Sequence, residues 1–217
     1  MKNLKRCFSP LSKYQVNQFQ TFEKEFRKWN EHINLVSRKD ILHFESHHLM
    51  HSLSISKIFD FPKNTTVIDL GTGGGLPGIP LAVLYPKTHF FLVESIRKKI
   101  DVVRELTHLL ELNNVTPIHA RIETIEKQAD YMISRWVGSV KDIITLIQIK
   151  GQITFTNQFK SGLWLWKGGN LKEELHQLKD TEIYELNKNF KHPFYSTKKI
   201  VHIPKKSIIA YANQKKR

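Results

Sequence analysis

Asp69, Gly71, Gly73 and Gly75 stand at alternate positions in "VIDLGTGGGLPGIP" (67–80). Glu94 follows Gly75 at the interval of about 20 residues typical of nucleotide sites. β-favouring residues lead into the glycine turn, and the turn leads through Pro77 into an apolar segment. Strand, turn and helix N-terminus are the ingredients of such a site. Five glycines in the eight positions 71–78 lose much chain entropy on ordering, so a turn without a ligand is a poor explanation of them. Gly73, Gly75 and Gly78 also read as G-x-G-x-x-G, which keeps an NAD-dependent oxidoreductase open as an alternative.

Three features weigh against phosphate. A P-loop needs Gly-Lys-Ser/Thr after its spacer, and Leu76, Pro77 and Gly78 occupy that region. Asp69, at the end of the first strand, would repel a pyrophosphate but tolerate a sulfonium or an amino group. Pro77 removes a backbone N–H where phosphate would want donors. Asp69, Gly71, Gly73 and Gly75 therefore suit S-adenosylmethionine, a ligand with no phosphate. Glu94 could accept hydrogen bonds from both ribose hydroxyls of either ligand, so it does not discriminate.

The elements that must position these residues follow from periodicity. Phe19, Phe22, Phe26, Trp29 and Ile33 form an amphipathic stripe and predict a helix over 13–36 that packs on a core. A second helix is expected over 40–58, with Ile41, Phe44, His48, Leu53 and Ile58 inward, and "DFPKN" (60–64) is a turn. Strands are expected at 66–70, 89–94, 115–120, 131–135 and 162–168, with Pro117 marking an edge. Helices are expected at 78–85, 96–112, 139–149 and 170–178. Two late strands near 182–187 and 198–204 lack a strong intervening helix, pair antiparallel and close the chain, leaving a frayed tail at 213–217. The alternation predicts an α/β doubly wound Rossmann-like sheet (63–217) with an N-terminal helical extension (1–62), together one compact unit.

Composition limits the setting. The 217 residues are 40% hydrophobic and 25% charged, as in an ordinary globular domain. Cys7 is the sole cysteine, so no intrachain disulfide forms. "MKNLKRCFSP" has no apolar signal core, and no apolar run approaches the ~20 residues of a membrane helix, so a cytoplasmic location away from membranes is expected. Thirty-four Lys and Arg against twenty Asp and Glu leave a net charge of +14, which favours a nucleic-acid partner. Arg38–Lys39, Arg97–Lys99, Lys198–Lys199, Lys205–Lys206 and Lys215–Arg217 are candidate phosphate contacts. A non-catalytic RNA-binding protein is the third reading.

Other residues bear on the reaction. Arg135 ends the fourth strand, where it could bond guanine O6, a phosphate or a carboxylate of the cofactor, or form an internal salt bridge to Glu123 or Asp69. Lys167 ends the fifth strand and could reach RNA phosphate or simply be solvated. Cys7 is remote in sequence from the cleft, and no Asn/Asp-Pro-Pro-aromatic turn follows the fourth strand, where "SRWVG" stands. Pyrimidine C5 and exocyclic amines are thereby disfavoured as acceptors relative to a ring nitrogen. His47 and His51 have the i, i+4 spacing of metal ligands, but no third ligand is evident, and a structural or RNA-facing role is expected.

Taken together, "KWNEHINLVSRKD" (28–40), "HHLMHSL" (47–53), "DLGTGGGLPGIPLA" (69–82), "LVESIRKKI" (92–100), "ARIE" (120–123), "ISR" (133–135) and "KGG" (167–169) resemble the ribosomal RNA small subunit methyltransferase G family, also called glucose-inhibited division protein B. The resemblance covers nearly the whole chain. It implies a class I S-adenosylmethionine-dependent methyltransferase fold and methyl transfer to N7 of a guanine in bacterial 16S rRNA. No general base is required, with Arg135 and Lys167 as candidates to position the substrate. The implied cofactor contacts are Gly71, Gly73, Gly75, Leu76, Glu94, Ile122, Glu123 and Arg135. The implied partner is 16S rRNA or the small ribosomal subunit, met by a monomer. Trp136 stands where the family commonly has alanine, and His51 where it often has aspartate. Trp136 could stack on a flipped base or fill a pocket.

Overall fold

Alternation along the strands decides how the sheet is buried. Val67, Phe90, Leu92, Tyr131, Ile133, Trp164, Trp166 and Ile200 lie in one buried cluster. Their strand neighbours Ile68, Val93, Met132, Leu163, Leu165 and Val201 lie in a second. A sheet apolar on both faces must carry helices on both. The computed structural model, which describes residues 2–8, 10–135, 138–150 and 152–215, has this layered form.

The strands are β1 (Thr66–Leu70), β2 (His89–Glu94), β3 (Val115–His119), β4 (Glu126–Ala129), β5 (Tyr131–Ser134), β6 (Gln152–Phe155), β7 (Gly162–Gly168), β8 (Glu182–Glu185) and β9 (Lys198–Pro204). Seven form one sheet in the order β3-β2-β1-β5-β7-β9-β8. β1 pairs parallel with β2 and β5, β2 with β3, and β5 with β7. β9 alone runs against its neighbours β7 and β8. The late strands thus pair antiparallel as expected, and Pro117 sits on edge strand β3, where a missing N–H is tolerated. β4 and β6, unforeseen in the sequence, form a separate parallel pair. The order reverses between β1 and β5, and ligands of such sheets bind at the carboxyl ends beside that reversal.

The first face carries α1 (Lys2–Cys7), α2 (Lys13–His32), the helical stretch 40–57, α4 (Gly78–Leu84) and α5 (Arg97–Leu109). A capping box opens α2: Gln15 N donates to Ser12 Oγ (3.1 Å) and Ser12 N to Gln15 Oε1 (3.0 Å). Val16, Phe19, Phe22 and Phe26 are its buried side. The helix ends at His32 and not at 36, because Asn30 Oδ1 accepts from Leu35 N (3.0 Å) and Val36 N (2.9 Å) and draws those amides from a helical ladder.

The helix expected over 40–58 exists as a path of changing winding: 3₁₀ at Asp40–His43, π at Phe44–Leu49, α3 at Met50–Leu53 and 3₁₀ at Ser54–Lys57. Side chains compete for its carbonyls. Ser52 Oγ donates to His48 O (2.7 Å), Ser54 Oγ to His51 O (2.7 Å) and Ser56 Oγ to Leu53 O (2.9 Å), while Trp166 Nε1, from β7, also donates to His51 O (2.6 Å).

The second face carries α6 (Val140–Ile144) with a π-wound continuation (Thr145–Lys150), α7 (Lys172–Leu175) and α8 (Lys205–Lys215). The helix expected at 170–178 is thus a single turn. The chain closes in α8 and not in a strand, with Ile208 and Tyr211 buried, so Asn213–Lys215 of the expected frayed tail are helical. No helix among the described residues is long and apolar enough to cross a membrane.

Candidate cofactor and acceptor site

The glycine turn is held by two carboxylates. Asp69, fully buried, accepts on Oδ2 from Thr72 Oγ1 (2.6 Å) and from Gly78 N (2.9 Å), while its Oδ1 has no partner. Burial raises its pKa to about 7, against the two hydrogen bonds, which favour the anion. Glu94, at the end of β2, accepts on Oε2 from Gly73 N (3.0 Å) and on Oε1 from Ile96 N (2.9 Å). One acid therefore braces the turn against β1 and the other against β2.

A cavity of about 420 Å³ opens above the carboxyl ends of β1 to β3, lined by Gly71, Gly73, Glu94, Ile122, Glu123 and, among others, Ser95, Ile96, Lys99 and Arg121. Five of the sequence candidates therefore meet in one place. Gly71 and Gly73 have φ of +69° and +60°, and a Cβ on either would meet nothing within 4 Å. They supply a left-handed turn and leave open space beside it, as a ligand cradle requires. Gly75 and Leu76 do not line this cavity: both donate backbone N–H groups to Thr72 O (3.0 and 2.9 Å), and Leu76 is buried in the core.

Gly78 answers to packing. A Cβ there would stand 2.8 Å from Asp69 Oδ2 and run into Leu92 Cδ2. Gly78→Ala is expected to lower stability by about 1–3 kcal/mol, the usual cost of overpacking, read as an earlier midpoint in urea unfolding. An unchanged midpoint would show that helix α4 shifts freely.

The N-terminus of α4 decides between the nucleotides. Its Gly78 N–H is already taken by the Asp69 carboxylate, and Pro77 before it has no N–H. A pyrophosphate would have to displace a carboxylate from the place where the dinucleotide fold seats it. The residues present fit S-adenosylmethionine instead: acids bracket an open, positive-φ turn, and Glu94 lines the cavity at the end of β2.

Arg135 and Lys167 are placed elsewhere. They line a second cavity, of about 690 Å³, with Asp40, His47, His48, His51, Trp166, Glu174, Phe194 and Lys198 among its walls. It lies at the carboxyl ends of β5 and β7, next along the sheet edge: β1 and β5 are paired, and Ser134 Oγ donates to Leu70 O (2.9 Å). Arg135 makes neither salt bridge considered for it. Its Nη1 donates to His48 O (3.2 Å) and Ser52 Oγ (3.1 Å), and its Nη2 lies 3.3 Å from His48 Nδ1. Burial lowers its pKa to about 10, so it stays charged. Lys167 Nζ donates to Glu174 Oε1 and Gly138 O, both at 2.7 Å.

The histidines serve this second cavity. His47 stacks on Phe194, with centroids 4.0 Å apart, and His51 meets the same ring edge-on at 5.3 Å. Among the described residues no group of three or more His, Cys, Asp or Glu is arranged to hold a metal ion. Trp136 lies outside the described residues. The sequence reading passed over Ser95, Ile96 and Phe194, and named Lys99 only as a candidate phosphate contact. Ser95 and Ile96 follow directly on the β2 acid, which is a signal; Phe194 is distant in the chain and carries none.

Sheet order, reversed strand and glycine turn define a class I S-adenosylmethionine-dependent methyltransferase. Solved structures share the architecture. A SAM-dependent methyltransferase from Aquifex aeolicus aligns with TM-score 0.52 and 13% identity over 78% of this chain and 99% of its own. A putative rRNA-methylase from Clostridium thermocellum aligns with TM-score 0.51 and 13% identity over 71% and 93%. The profile of the rRNA small subunit methyltransferase G family matches residues 15–203, and the chain belongs to that family. Relatives named ribosomal RNA small subunit methyltransferase G include one from Flavobacterium johnsoniae, 41% identical over 95% of this chain and 99% of its own. Another, from Bacteroides fragilis strain ATCC 25285, is 41% identical over 94% and 99%.

Proposed function

We propose that the protein transfers the methyl group of S-adenosylmethionine to N7 of a guanine in bacterial 16S rRNA. The observation that carries this reading is the open, acid-bracketed glycine cavity in a chain of this family, with a second cavity beside it along the sheet edge. The bound cofactor supplies an electrophilic methyl on a sulfonium. Glu94 offers the ribose hydroxyls a free lone pair on Oε2 and, in place of the long 3.5 Å contact of Ser95 Oγ, one on Oε1, and Ile122 and Glu123 frame the adenine. Gly75 and Leu76 support the turn from behind.

Guanine N7 has a lone pair and no proton, so the chain's task is to align the base and exclude water. Arg135 and Lys167 give the acceptor cavity its shape and positive charge while tied to His48, Ser52 and Glu174. The net charge of +14 suits a 16S rRNA or small-subunit partner, approached by a monomer in the cytoplasm. The domain reading is a helical extension (1–62) and a methyltransferase domain (63–217) that share one core; Phe22, Phe26 and Phe44 of the extension belong to the same cluster as Val67 and Phe90 of the sheet.

The test is transfer of tritiated methyl to small-subunit rRNA or particles from a strain lacking the activity, with nuclease mapping of the label. The expected result is one labelled guanine, recovered as 7-methylguanine. No label on any RNA or subunit form, with S-adenosylhomocysteine binding intact, would overturn the assignment. Stabilisation by NADH but not by S-adenosylhomocysteine would restore the oxidoreductase.

A further inference from the structure

The second cavity contains three cations, and two of them are occupied. Arg135 is bonded to the 40–57 stretch, and Lys167 is paired with Glu174. Lys198, at the start of β9, forms no ion pair among the described residues; its Nζ stands 4.8 Å from the centroid of the Phe194 ring. His48 and His51 add no charge at neutral pH, since both are buried and beside Arg135. Lys198 is thus the cation left for an incoming anion.

Phe194 is the matching apolar surface. It is half-buried, on the short 193–197 turn, backed by His47 in a near-parallel stack (13°) and braced edge-on by His51. His43 stacks in turn on His47 at 4.7 Å, so three planar rings form a column whose Phe194 end lies at the cavity. A ring backed by stacking and approached by an ammonium group offers a π-surface that a base can take once the cation moves to a phosphate. Two buried imidazole nitrogens, His48 Nε2 and His51 Nε2, belong to residues of this wall and have no partner. Arginine offers no acceptor, so His48 Nδ1 faces Arg135 as an acceptor and its proton sits on Nε2, an unused donor.

We propose that the second cavity receives the acceptor nucleotide in extruded or single-stranded form, with its base stacked on Phe194 and its phosphate paired with Lys198. The proposal rests on the methyl-transfer reading above and names how the RNA is held. Both groups act by binding substrate, and cofactor affinity should not depend on them.

The test uses the full chain with methyl transfer to small-subunit rRNA, titrated in RNA, alongside calorimetric binding of S-adenosylhomocysteine. Phe194→Ala is expected to lower kcat/KM for RNA by about 10- to 100-fold, the loss of one stacked base, with S-adenosylhomocysteine affinity unchanged. Phe194→Trp is expected to restore most of that loss. Lys198→Ala is expected to flatten the salt dependence of RNA binding by about 0.7 in log–log slope, one single-strand phosphate contact. If Phe194→Ala fails to fold, the Trp and Lys198 variants decide. Full activity of Phe194→Ala, or an unaltered salt slope in Lys198→Ala, would overturn the nucleotide site while leaving the methyltransferase assignment standing. No label from the wild-type protein would remove that assignment and the nucleotide site with it.

Discussion

Glu94→Gln is expected to weaken S-adenosylhomocysteine binding by about 100-fold. Each oxygen of Glu94 already accepts one backbone N–H, from Gly73 at 3.0 Å and from Ile96 at 2.9 Å; a ribose hydroxyl takes the free lone pair of Oε2, and a second displaces the long 3.5 Å contact of Ser95 Oγ at Oε1. Glutamine turns one acceptor into an NH₂. That group faces a backbone N–H of the turn and cannot accept from ribose. Hydrogen bonds to a charged partner contribute about 1.5–3 kcal/mol each, and a factor of ten is about 1.4 kcal/mol, so the loss of one bond and the charge on the other gives the stated factor. Calorimetric titration of the variant measures it. Affinity within threefold of wild type would show that the ribose is held elsewhere. The variant's melting temperature, without ligand, separates this effect from loosening of the turn.

The second large effect is on acid stability. His48 is buried with 5% of its surface exposed, and burial pushes its pKa down to about 3, the Arg135 guanidinium beside it acting in the same direction. The unfolded histidine takes up its proton near pH 6.5. Below that pH the unfolded chain binds more protons than the fold, so stability present above about pH 6.5 is lost as pH falls toward 3. At about 1.4 kcal/mol per unit, His48 alone removes about 3 kcal/mol between pH 7 and pH 4.5. His51, fully enclosed and shifted the same way, adds to it. Asp69 has the opposite sign: a carboxyl raised to about 7 binds its proton more tightly in the fold, so its contribution declines as pH rises from about 4 to 7.

The net curve therefore mixes opposed contributions, and a variant is needed to separate them. In His48→Asn the side-chain oxygen can still accept from Arg135, but nothing titrates. Between pH 7 and pH 4.5 the wild type should lose about 3 kcal/mol more than this variant in urea unfolding. Parallel pH curves for the two would show that His48 takes up its proton without opening the fold.

The parts legible in the sequence were those set by local pattern. The Phe19–Phe22–Phe26 stripe, the five parallel strands of the main sheet and the open turn at Gly71 and Gly73 all follow from side-chain period or from a backbone conformation that few residues tolerate. The antiparallel closing pair was legible because the space between its strands is too poor in helix signal for a crossover. Less was legible where side chains compete with the backbone. Asn30 ends α2 early, and Ser52, Ser54, Ser56 and Trp166 divert the carbonyls of the 40–57 stretch; those partners are identified only once the chain has folded. α8 was missed because its eleven residues are weakly amphipathic, and its place depends on the face that Ile208 and Tyr211 find against the sheet.

The sequence by itself therefore determined the doubly wound sheet, the family and the residues that form the cofactor turn, because contiguous spacing carries that information. Only the tertiary structure decided which of those residues meet. It grouped Gly71, Gly73, Glu94, Ile122 and Glu123 around one cavity and sent Arg135 and Lys167 to another. It brought His47, Phe194 and Lys198 together from segments about 150 residues apart. Strand order sets those distances: β5 and β7 end beside the cofactor strands, and β9, inserted antiparallel, starts at the end of the sheet where the parallel strands finish. That juxtaposition is a property of the sheet, and no local pattern in the chain records it.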